Sequence, residues 1–145
     1  MTVETAVPVV IGLIGAGRIG TSHAGIIAER LPGARLAAVA DPRPEAAQAL
    51  ADRYGARAFT DPIELINDPQ IPAIGIAASS EAHADLIVAA AAAGKAIFCE
   101  KPMSLNLADA DRALAAAEAA GVILQVGFNR RFDADRADIL APGGK

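Results

Sequence analysis

The length and composition of the chain indicate one globular domain. Its 145 residues suffice for a single hydrophobic core, and the balance of 53% hydrophobic to 21% charged residues excludes a disordered chain. The formal net charge of -4 argues against a nucleic-acid partner, and the single cysteine excludes an intrachain disulfide and offers no metal cluster. No apolar run reaches the roughly 18 residues of a membrane span, and the start MTVETAVP lacks the basic residues of a secretion signal, so we expect a cytoplasmic protein without a membrane partner.

Short apolar runs alternate with helix-forming segments along the chain. We predict strands over Val9–Ile14, Ala34–Ala40, Ala56–Phe59, Ala73–Ala77, Lys95–Cys99 and Val122–Val126. We predict helices between them, over Arg18–Arg30, Pro44–Tyr54, Pro62–Asn67, Glu81–Ala93 and Ser104–Ala120. Nearly continuous apolar strands separated by helices are typical of a parallel sheet that is covered on both faces. The sequence therefore predicts an α/β fold, a doubly wound parallel sheet of about six strands with right-handed crossovers.

Turn and cap residues support these boundaries. Asp61 followed by Pro62 is typical of a helix N-cap with proline at the first helical position, and Ser104 is a candidate N-cap for the last helix. A glycine follows four of the predicted helices, where a left-handed C-cap favours it: Gly33, Gly55, Gly94 and Gly121.

The segment Val9–Gly20, VVIGLIGAGRIG, joins an apolar strand to a GxGxxG turn. Gly15 permits a tight turn, Gly17 lets a ligand approach the backbone, and Gly20 lets the helix lie close to the strand. The helix N-terminus offers free N–H groups and a positive dipole end to phosphates. Asp41 ends the second apolar run, where a carboxylate accepts hydrogen bonds from a ribose 2′-OH and repels a 2′-phosphate. The pattern predicts a dinucleotide site that prefers NAD to NADP; the alternative is a strand–helix turn without a ligand.

Polar residues also follow the later strands, where ligands of open α/β sheets bind. They form the segments Ala78-Ser79-Ser80-Glu81, Glu100-Lys101-Pro102 and Asn129-Arg130-Arg131. Lys101 in a partly dry pocket can bind a substrate hydroxyl or relay its proton, whereas the alternative is a surface lysine paired with Glu100. Arg130 and Arg131 either clamp an anionic or polyhydroxyl substrate or form a solvated pair at a domain junction.

Four further side chains allow two interpretations each. His23 and His83 lie near the starts of predicted helices and either touch a cofactor or are structural. Arg43 either contacts the cofactor, by flanking the adenosine or, if the cofactor is NADP, by accommodating a 2′-phosphate, or is a surface residue at the start of a helix. Cys99 ends an apolar strand, which favours an inert buried thiol over a reactive one.

These motifs together resemble the nucleotide-binding half of the Gfo/Idh/MocA oxidoreductases, most closely the myo-inositol 2-dehydrogenases. The matching segments are IGLIGAGRIG, the VAD that ends at Asp41, SSEAHADLI, GKAIFCEKPMSLN and LQVGFNRRFD, which cover roughly Val10 to Asp133. The resemblance implies an NAD-binding domain of the Rossmann type over residues 1–127. It also implies a linker over residues 128–145, where the second domain of the family begins.

The resemblance implies roles for the candidate residues. Asp41 holds the adenosine ribose, Lys101 is the catalytic lysine, and Arg130 lies near the substrate. The family reaction moves a hydride between a sugar or cyclitol carbinol carbon and C4 of the nicotinamide. The residues implied to bind NAD are Gly15, Ala16, Gly17, Arg18, Ile19, Asp41, Ala78, Ser79, Ser80, His83, Glu100 and Lys101.

The chain departs from the family in its length. Family members are much longer and carry a second α+β domain, whose Asp and His complete the proton relay with the lysine. Residues 134–145 offer neither a sheet nor a histidine, so we expect NAD binding without efficient turnover by this chain alone. The alternatives are a stand-alone NAD-binding or sensing module and an isolated or engineered domain. An uncovered sheet face near the sixth strand would seek a partner, which predicts a homo-oligomer, most simply a two-fold dimer.

Overall fold

A computed structural model describes residues 6–128 as a parallel sheet with helices on both faces. The strands are β1 (Val9–Ile14), β2 (Ala34–Ala40), β3 (Arg57–Phe59), β4 (Ala73–Ile76), β5 (Ala96–Glu100) and β6 (Leu124–Gly127). The helices are α1 (Arg18–Gly25), α2 (Pro44–Tyr54), α3 (Pro62–Ile66), α4 (His83–Ala92) and α5 (Leu107–Ala120). A π-helical turn, Ile26–Arg30, continues α1, and a 3-10 turn, Ser80–Ala82, precedes α4.

The strand order is β3-β2-β1-β4-β5-β6, and every neighbouring pair is parallel. The chain winds outward from β1 to β3, crosses back to β4, and then winds outward to β6. This arrangement confirms the predicted doubly wound sheet. It also places a crevice at the carboxyl ends of β1 and β4, where the direction of winding reverses and where open α/β sheets bind their ligands.

Each face of the sheet has its own hydrophobic core. Leu13 and Ile14 are neighbours in β1, so their side chains point to opposite faces, and they are only 1% and 3% exposed. Leu13 packs in a cluster with Ala24 of α1 and Leu50 of α2. Ile14 belongs to a second cluster that includes Ile87 of α4 and reaches α5. Burial on both faces explains why the strands read as unbroken apolar runs in the sequence.

The start of α5 differs from the predicted one. The helix begins at Leu107, and Asn106 is its N-cap, because the Oδ1 atom of Asn106 accepts the N–H of Asp109 at 2.8 Å. The prediction that Ser104 caps this helix is wrong. Its hydroxyl accepts the N–H of Asn106 at 3.2 Å, inside the loop that leads to the helix. Both residue types cap helices well, so the geometry of the preceding loop decides between them.

Two other predictions need correction. Gly33 does not have a positive φ, unlike Gly55, Gly94 and Gly121. The π-helical turn ends at Leu31 in an extended conformation, with φ -107° and ψ 97°, so the chain reaches β2 without a left-handed residue. The fifth strand runs one residue later than predicted, so Glu100 is its last residue. When the π-helical turn is counted with α1, the remaining bounds of the strands and helices differ from the predicted ones by at most two residues.

Candidate functional site

The glycine turn lies in the crevice between β1 and β4. Gly15 has a φ of +109°, and a Cβ atom there would lie 2.3 Å from the carbonyl oxygen of Ala77, at the end of β4. A Cβ atom on Gly20 would lie 1.9 Å from the carbonyl oxygen of Gly15. The requirement for glycine at position 20 therefore comes from the turn itself rather than from the strand. These two glycines let the start of α1 pack directly over the end of β1.

Gly17 differs from the other two glycines of the turn. A Cβ atom on Gly17 would meet nothing within 4 Å, and its φ of -78° suits any residue. It is the N-cap of α1, and no side chain caps the first turn of this helix. No side chain therefore engages the first N–H groups of α1, which is the arrangement in which helix N-termini receive phosphates. The protein's own packing gives no reason for glycine here, whereas a ligand against the backbone does.

Asp41 lies beside the glycine turn and is only 6% exposed. Its Oδ2 atom accepts the N–H of Ala16 at 2.8 Å, and its Oδ1 atom accepts the N–H of Arg43 at 2.9 Å. The Arg43 guanidinium donates to both oxygens, at 3.0 and 3.3 Å. Burial raises the pKa of the Asp41 carboxyl, but the hydrogen bonds from Arg43 and Ala16 outweigh it, so the pKa lies below its ordinary value. Asp41 is thus an ionised acceptor that is fixed to the glycine turn.

Two adjoining cavities bring the predicted site residues together. The first, of about 360 Å³, is mostly apolar and contains Asp41 and Arg43 in its wall. The second, of about 290 Å³, lies at the ends of β4 and β5, and Ala78 lines both. Of the residues predicted from the sequence, Gly15, Asp41, Ala78 and Ser79 line the first cavity, and Ile19, Ala78, Ser80, His83, Glu100 and Lys101 line the second. Two adjoining cavities of this kind suit an elongated ligand with a separate group in each cavity.

His83 is a buried residue of the second cavity and is 1% exposed. Its Nδ1 atom lies 2.7 Å from the carbonyl oxygen of Pro102, and its Nε2 atom lies 2.9 Å from that of Ala78. Both ring nitrogens are therefore engaged by the backbone. Of the two interpretations of this side chain, the structure favours the structural one, in which the imidazole joins the loop after β4 to the loop after β5.

Lys101 follows the last residue of β5, and its side chain is exposed at the second cavity. The peptide bond between Lys101 and Pro102 is cis. The Glu100 carboxylate pairs with another residue, since its Oε1 atom lies 2.7 Å from Nε2 of His23. Among the ion pairs of residues 6–128, none joins Glu100 to the Lys101 ammonium. The pairing with Glu100 in the alternative interpretation is therefore wrong, whereas the exposed position of Lys101 agrees with a surface lysine.

Cys99 is confirmed as a buried thiol, with no exposed surface. Burial, together with the negative charge of Glu100, raises the pKa of this thiol to about 12. Arg18 lies exposed at the first position of α1. Asn129, Arg130 and Arg131 lie outside the described residues.

The helices and the metal-binding side-chain types of residues 6–128 bear on two other kinds of partner, a membrane and a metal ion. None of the helices in this range has the length and apolar character needed to cross a membrane. The same range contains no group of three or more His, Cys, Asp or Glu side chains arranged to hold a metal ion.

Comparison with known proteins places this chain in a family. The family model described as "Oxidoreductase family, NAD-binding Rossmann fold" (GFO_IDH_MocA) matches residues 9–128. Myo-inositol 2-dehydrogenase of Thermotoga maritima is 46% identical over 124 residues, which are 85% of this chain and 37% of that protein.

Solved structures agree with this assignment. The scyllo-inositol dehydrogenase of Lactobacillus casei with bound NAD(H) and scyllo-inositol superposes with a TM-score of 0.85 at 31% identity, over 92% of this chain and 40% of that one. The WlbA dehydrogenase of Bordetella pertussis, in complex with NADH and UDP-GlcNAcA, superposes with a TM-score of 0.88 at 32% identity, over 93% of this chain and 39% of that one. The chain thus spans well under half the length of the relatives it matches. It belongs to the Gfo/Idh/MocA oxidoreductase family and corresponds to the NAD-binding Rossmann domain of that family.

Proposed function

We propose that this chain is the NAD-binding part of a dehydrogenase that oxidises an inositol or a related sugar, and that alone it binds NAD without efficient turnover. The observation that carries the proposal is the fixed geometry between the glycine turn and Asp41. A buried, ionised carboxylate is held 2.8 Å from the N–H of Ala16, beside uncapped N–H groups of α1. One end of this arrangement suits a ribose diol and the other a pyrophosphate.

The chain's residues fit NAD along the two cavities. Gly15, Ala16, Gly17, Arg18 and Ile19 would line the pyrophosphate, where the open space at Gly17 admits it. The first cavity would take the adenosine, and the second the nicotinamide. The residues at the nicotinamide end would be Ala78, Ser80, His83, Glu100 and Lys101. Ser79, which lines the first cavity, would lie between the two ends.

We propose NAD rather than NADP as the cofactor because of Asp41. Its carboxylate repels a 2′-phosphate and accepts hydrogen bonds from a ribose diol. The Arg43 guanidinium now occupies both carboxylate oxygens, but its side chain is 60% exposed. Ribose hydroxyls can therefore replace this exposed side chain as the partners of Asp41. The same exposure would allow Arg43 to meet a 2′-phosphate, which is the alternative that the calorimetry below tests.

Lys101 is the proposed catalytic residue. Bound NAD would supply the hydride acceptor, C4 of its nicotinamide ring. The Lys101 Nζ atom would bind the substrate hydroxyl and take up or relay its proton as the carbinol carbon is oxidised. Arg130, which lies outside the described residues, is proposed to contact the substrate. The relatives named above act on inositols or bind a sugar nucleotide, which supports a polyol or sugar substrate for the parent enzyme.

Calorimetry with NAD+ and NADP+ on the 145-residue chain tests this proposal. We expect saturable binding of NAD+ with clearly weaker binding of NADP+, and no turnover of myo-inositol near the ordinary enzyme rate of about 1 per second. Equal affinities would contradict the cofactor preference. Absence of any binding would favour an isolated domain without activity, whereas turnover at that rate would contradict the proposed dependence on further protein.

We also propose that the chain forms a two-fold dimer. An apolar groove of about 340 Å³ lies on the α1 face of the sheet, lined by Ile27, Phe98 and Ile123 among others. Ile123 is 73% exposed at the start of β6, and Phe128 is 59% exposed after its end. A surface of this kind favours association, because burying apolar side chains stabilises the contact.

Sedimentation velocity at micromolar concentration should detect a dimer. Ile123→Lys would place a charge in the groove and is expected to shift the chain to monomer. The matched control is Leu114→Lys on α5, which introduces the same charge at a half-exposed residue on the other face of the sheet. A monomer in the unmutated chain, or equal behaviour of the two variants, would rule out this contact.

A further inference from the structure

His23 and Glu100 form the one described ion pair that joins the phosphate-binding helix to the proposed catalytic strand end. His23 lies in the second turn of α1, 77 residues from Glu100 in the sequence, and its Nε2 atom lies 2.7 Å from Oε1 of the acid. The other oxygen, Oε2, accepts the backbone N–H of Lys101 at 3.2 Å. The carboxylate is thus held on one side by α1 and on the other by the backbone of its neighbour.

Packing fixes the His23 ring in this position. The ring meets Phe98 of β5 edge-on, with ring centroids 5.5 Å apart and an interplanar angle of 68°. Gly127 of β6 lies opposite Glu100 in the sheet. A Cβ atom there would come within 2.9 Å of the Phe98 ring and 3.5 Å of Oε1 of Glu100. The absence of a side chain at position 127 therefore leaves room for both partners of His23.

The consequence concerns Lys101. An unrestrained carboxylate next to a lysine would pair with its ammonium, which holds the proton on the amine. The structure has the acid paired with His23 instead. The titratable groups that line the cavity are Glu100, Lys101 and His83, and the His83 ring is already engaged by two carbonyl oxygens.

We propose that His23 is a positioning residue: it holds the Glu100 carboxylate against α1, and so keeps it from pairing with the Lys101 ammonium. The importance of this arrangement for catalysis rests on the proposed function, in which the Lys101 Nζ atom handles the substrate proton. The arrangement itself exists in the chain without a cofactor and can be measured there.

The test follows the titration of Lys101 by NMR. The chain contains three lysines, Lys95, Lys101 and Lys145, so biosynthetic ¹³C labelling of lysine gives few side-chain signals, and Lys101→Arg identifies the one of interest. In His23→Leu the freed carboxylate should pair with Lys101 and raise its titration midpoint by about half a pH unit, because pairs that involve an exposed group are weak. His23→Gln retains an N–H donor for Glu100 and should keep the midpoint of the unmutated chain. In the double variant His23→Leu/Glu100→Gln, the midpoint of Lys101 should also equal that of the unmutated chain.

An internal control separates positioning from folding. Lys95 is buried and its Nζ atom donates to the carbonyl oxygen of Asp68 at 2.8 Å, so an unchanged Lys95 signal reports an intact fold. If His23→Leu does not fold, His23→Asn, whose shorter side chain does not reach Glu100, takes its place. An unchanged Lys101 midpoint in the folded variant would overturn the proposal, as would an equal shift in the double variant.

This test and the test of the proposed function can fail separately. The titration is measured without NAD, so a chain that binds no cofactor would still show the predicted shift. Conversely, a chain that binds NAD+ in calorimetry but shows no shift on replacing His23 would retain the proposed function and lose the positioning role.

Discussion

Replacing Gly20 with alanine should destabilise this chain strongly. A Cβ atom at this position would lie 1.9 Å from the carbonyl oxygen of Gly15, and neither atom belongs to a flexible side chain. Alanine is favoured over glycine inside a helix by about 1 kcal/mol, so the clash must exceed this gain before the variant loses stability. Overpacking typically costs about 1–3 kcal/mol, and a contact this short with fixed backbone belongs at the upper end of that range, so we expect a net loss of about 2 kcal/mol. Chemical denaturation monitored by circular dichroism measures it.

Gly17→Ala is the matched control, since it makes the same change in the same turn. The added methyl group meets nothing within 4 Å and the backbone of Gly17 is already in an ordinary conformation. We expect stability within about 0.5 kcal/mol of the unmutated chain, combined with a loss of NAD+ affinity of about tenfold or more, because the methyl group occupies the space proposed for the pyrophosphate. Similar stabilities for the Gly20 and Gly17 variants would contradict the steric argument, and full NAD+ affinity in Gly17→Ala would contradict the proposed ligand position.

Asp41→Ala should weaken NAD+ binding by roughly 10- to 100-fold. The reason is the loss of a charged acceptor for the ribose hydroxyls, and hydrogen bonds to charged groups contribute about 1.5–3 kcal/mol. Binding of NADP+ should fall less, since the variant no longer repels a 2′-phosphate, so the gap between the two cofactors narrows. Calorimetry with both cofactors measures, for each, the ratio of the affinity of the unmutated chain to that of the variant. Asp52→Ala, which removes an exposed acid of α2 that accepts a hydrogen bond from Gln48, should leave both affinities unchanged.

The Asp41 variant also has an expected signature in stability. The pKa of this carboxyl is lowered in the folded chain, so its ionised form stabilises the fold above the pKa of the unfolded chain. This contribution is lost as the pH falls through the lowered folded value. Removing Asp41 should therefore reduce stability at neutral pH and flatten the loss of stability in acid. If stability falls with decreasing pH as steeply in Asp41→Ala as in the unmutated chain, the hydrogen bonds from Ala16 and Arg43 contribute nothing to the stability of the fold.

The strands, the helices and the doubly wound parallel class of the sheet could be predicted from the sequence because local signals agree with the global fold. Apolar runs such as Val9–Ile14 and Ala34–Ala40 have the length of buried strands, and the structure reproduces both sets of bounds. The ends of helices are less predictable, as the start of α5 shows. Ser104 and Asn106 are both good cap residues, and the geometry of the loop decides which of them caps the helix. The glycine turn and Asp41 could be predicted because both belong to one strand–helix–strand unit, whose geometry sets the number of residues between them.

Contacts between distant segments could not be predicted in the same way. The His23–Glu100 pair joins residues 77 positions apart, and no spacing rule connects an imidazole on one helix with an acid four strands later. The same holds for Lys95, whose side chain is buried and bonds the backbone of Asp68. Such pairs depend on which strands become neighbours and on their register, and both are known only once the sheet is assembled.

The position of β1 at the centre of the sheet has a consequence for how the chain folds during synthesis. Ile11 pairs with Leu36 of β2 on one side and with Ala73 of β4 on the other. The second edge of β1 therefore stays unpaired until the ribosome has released the chain beyond Ile76, more than half of the described domain. Parallel pairing across such a separation is slow, because a long loop must close before its contacts stabilise it. During that interval the nascent chain exposes an apolar strand with a free edge, which is the stage at which a chaperone would have most to protect.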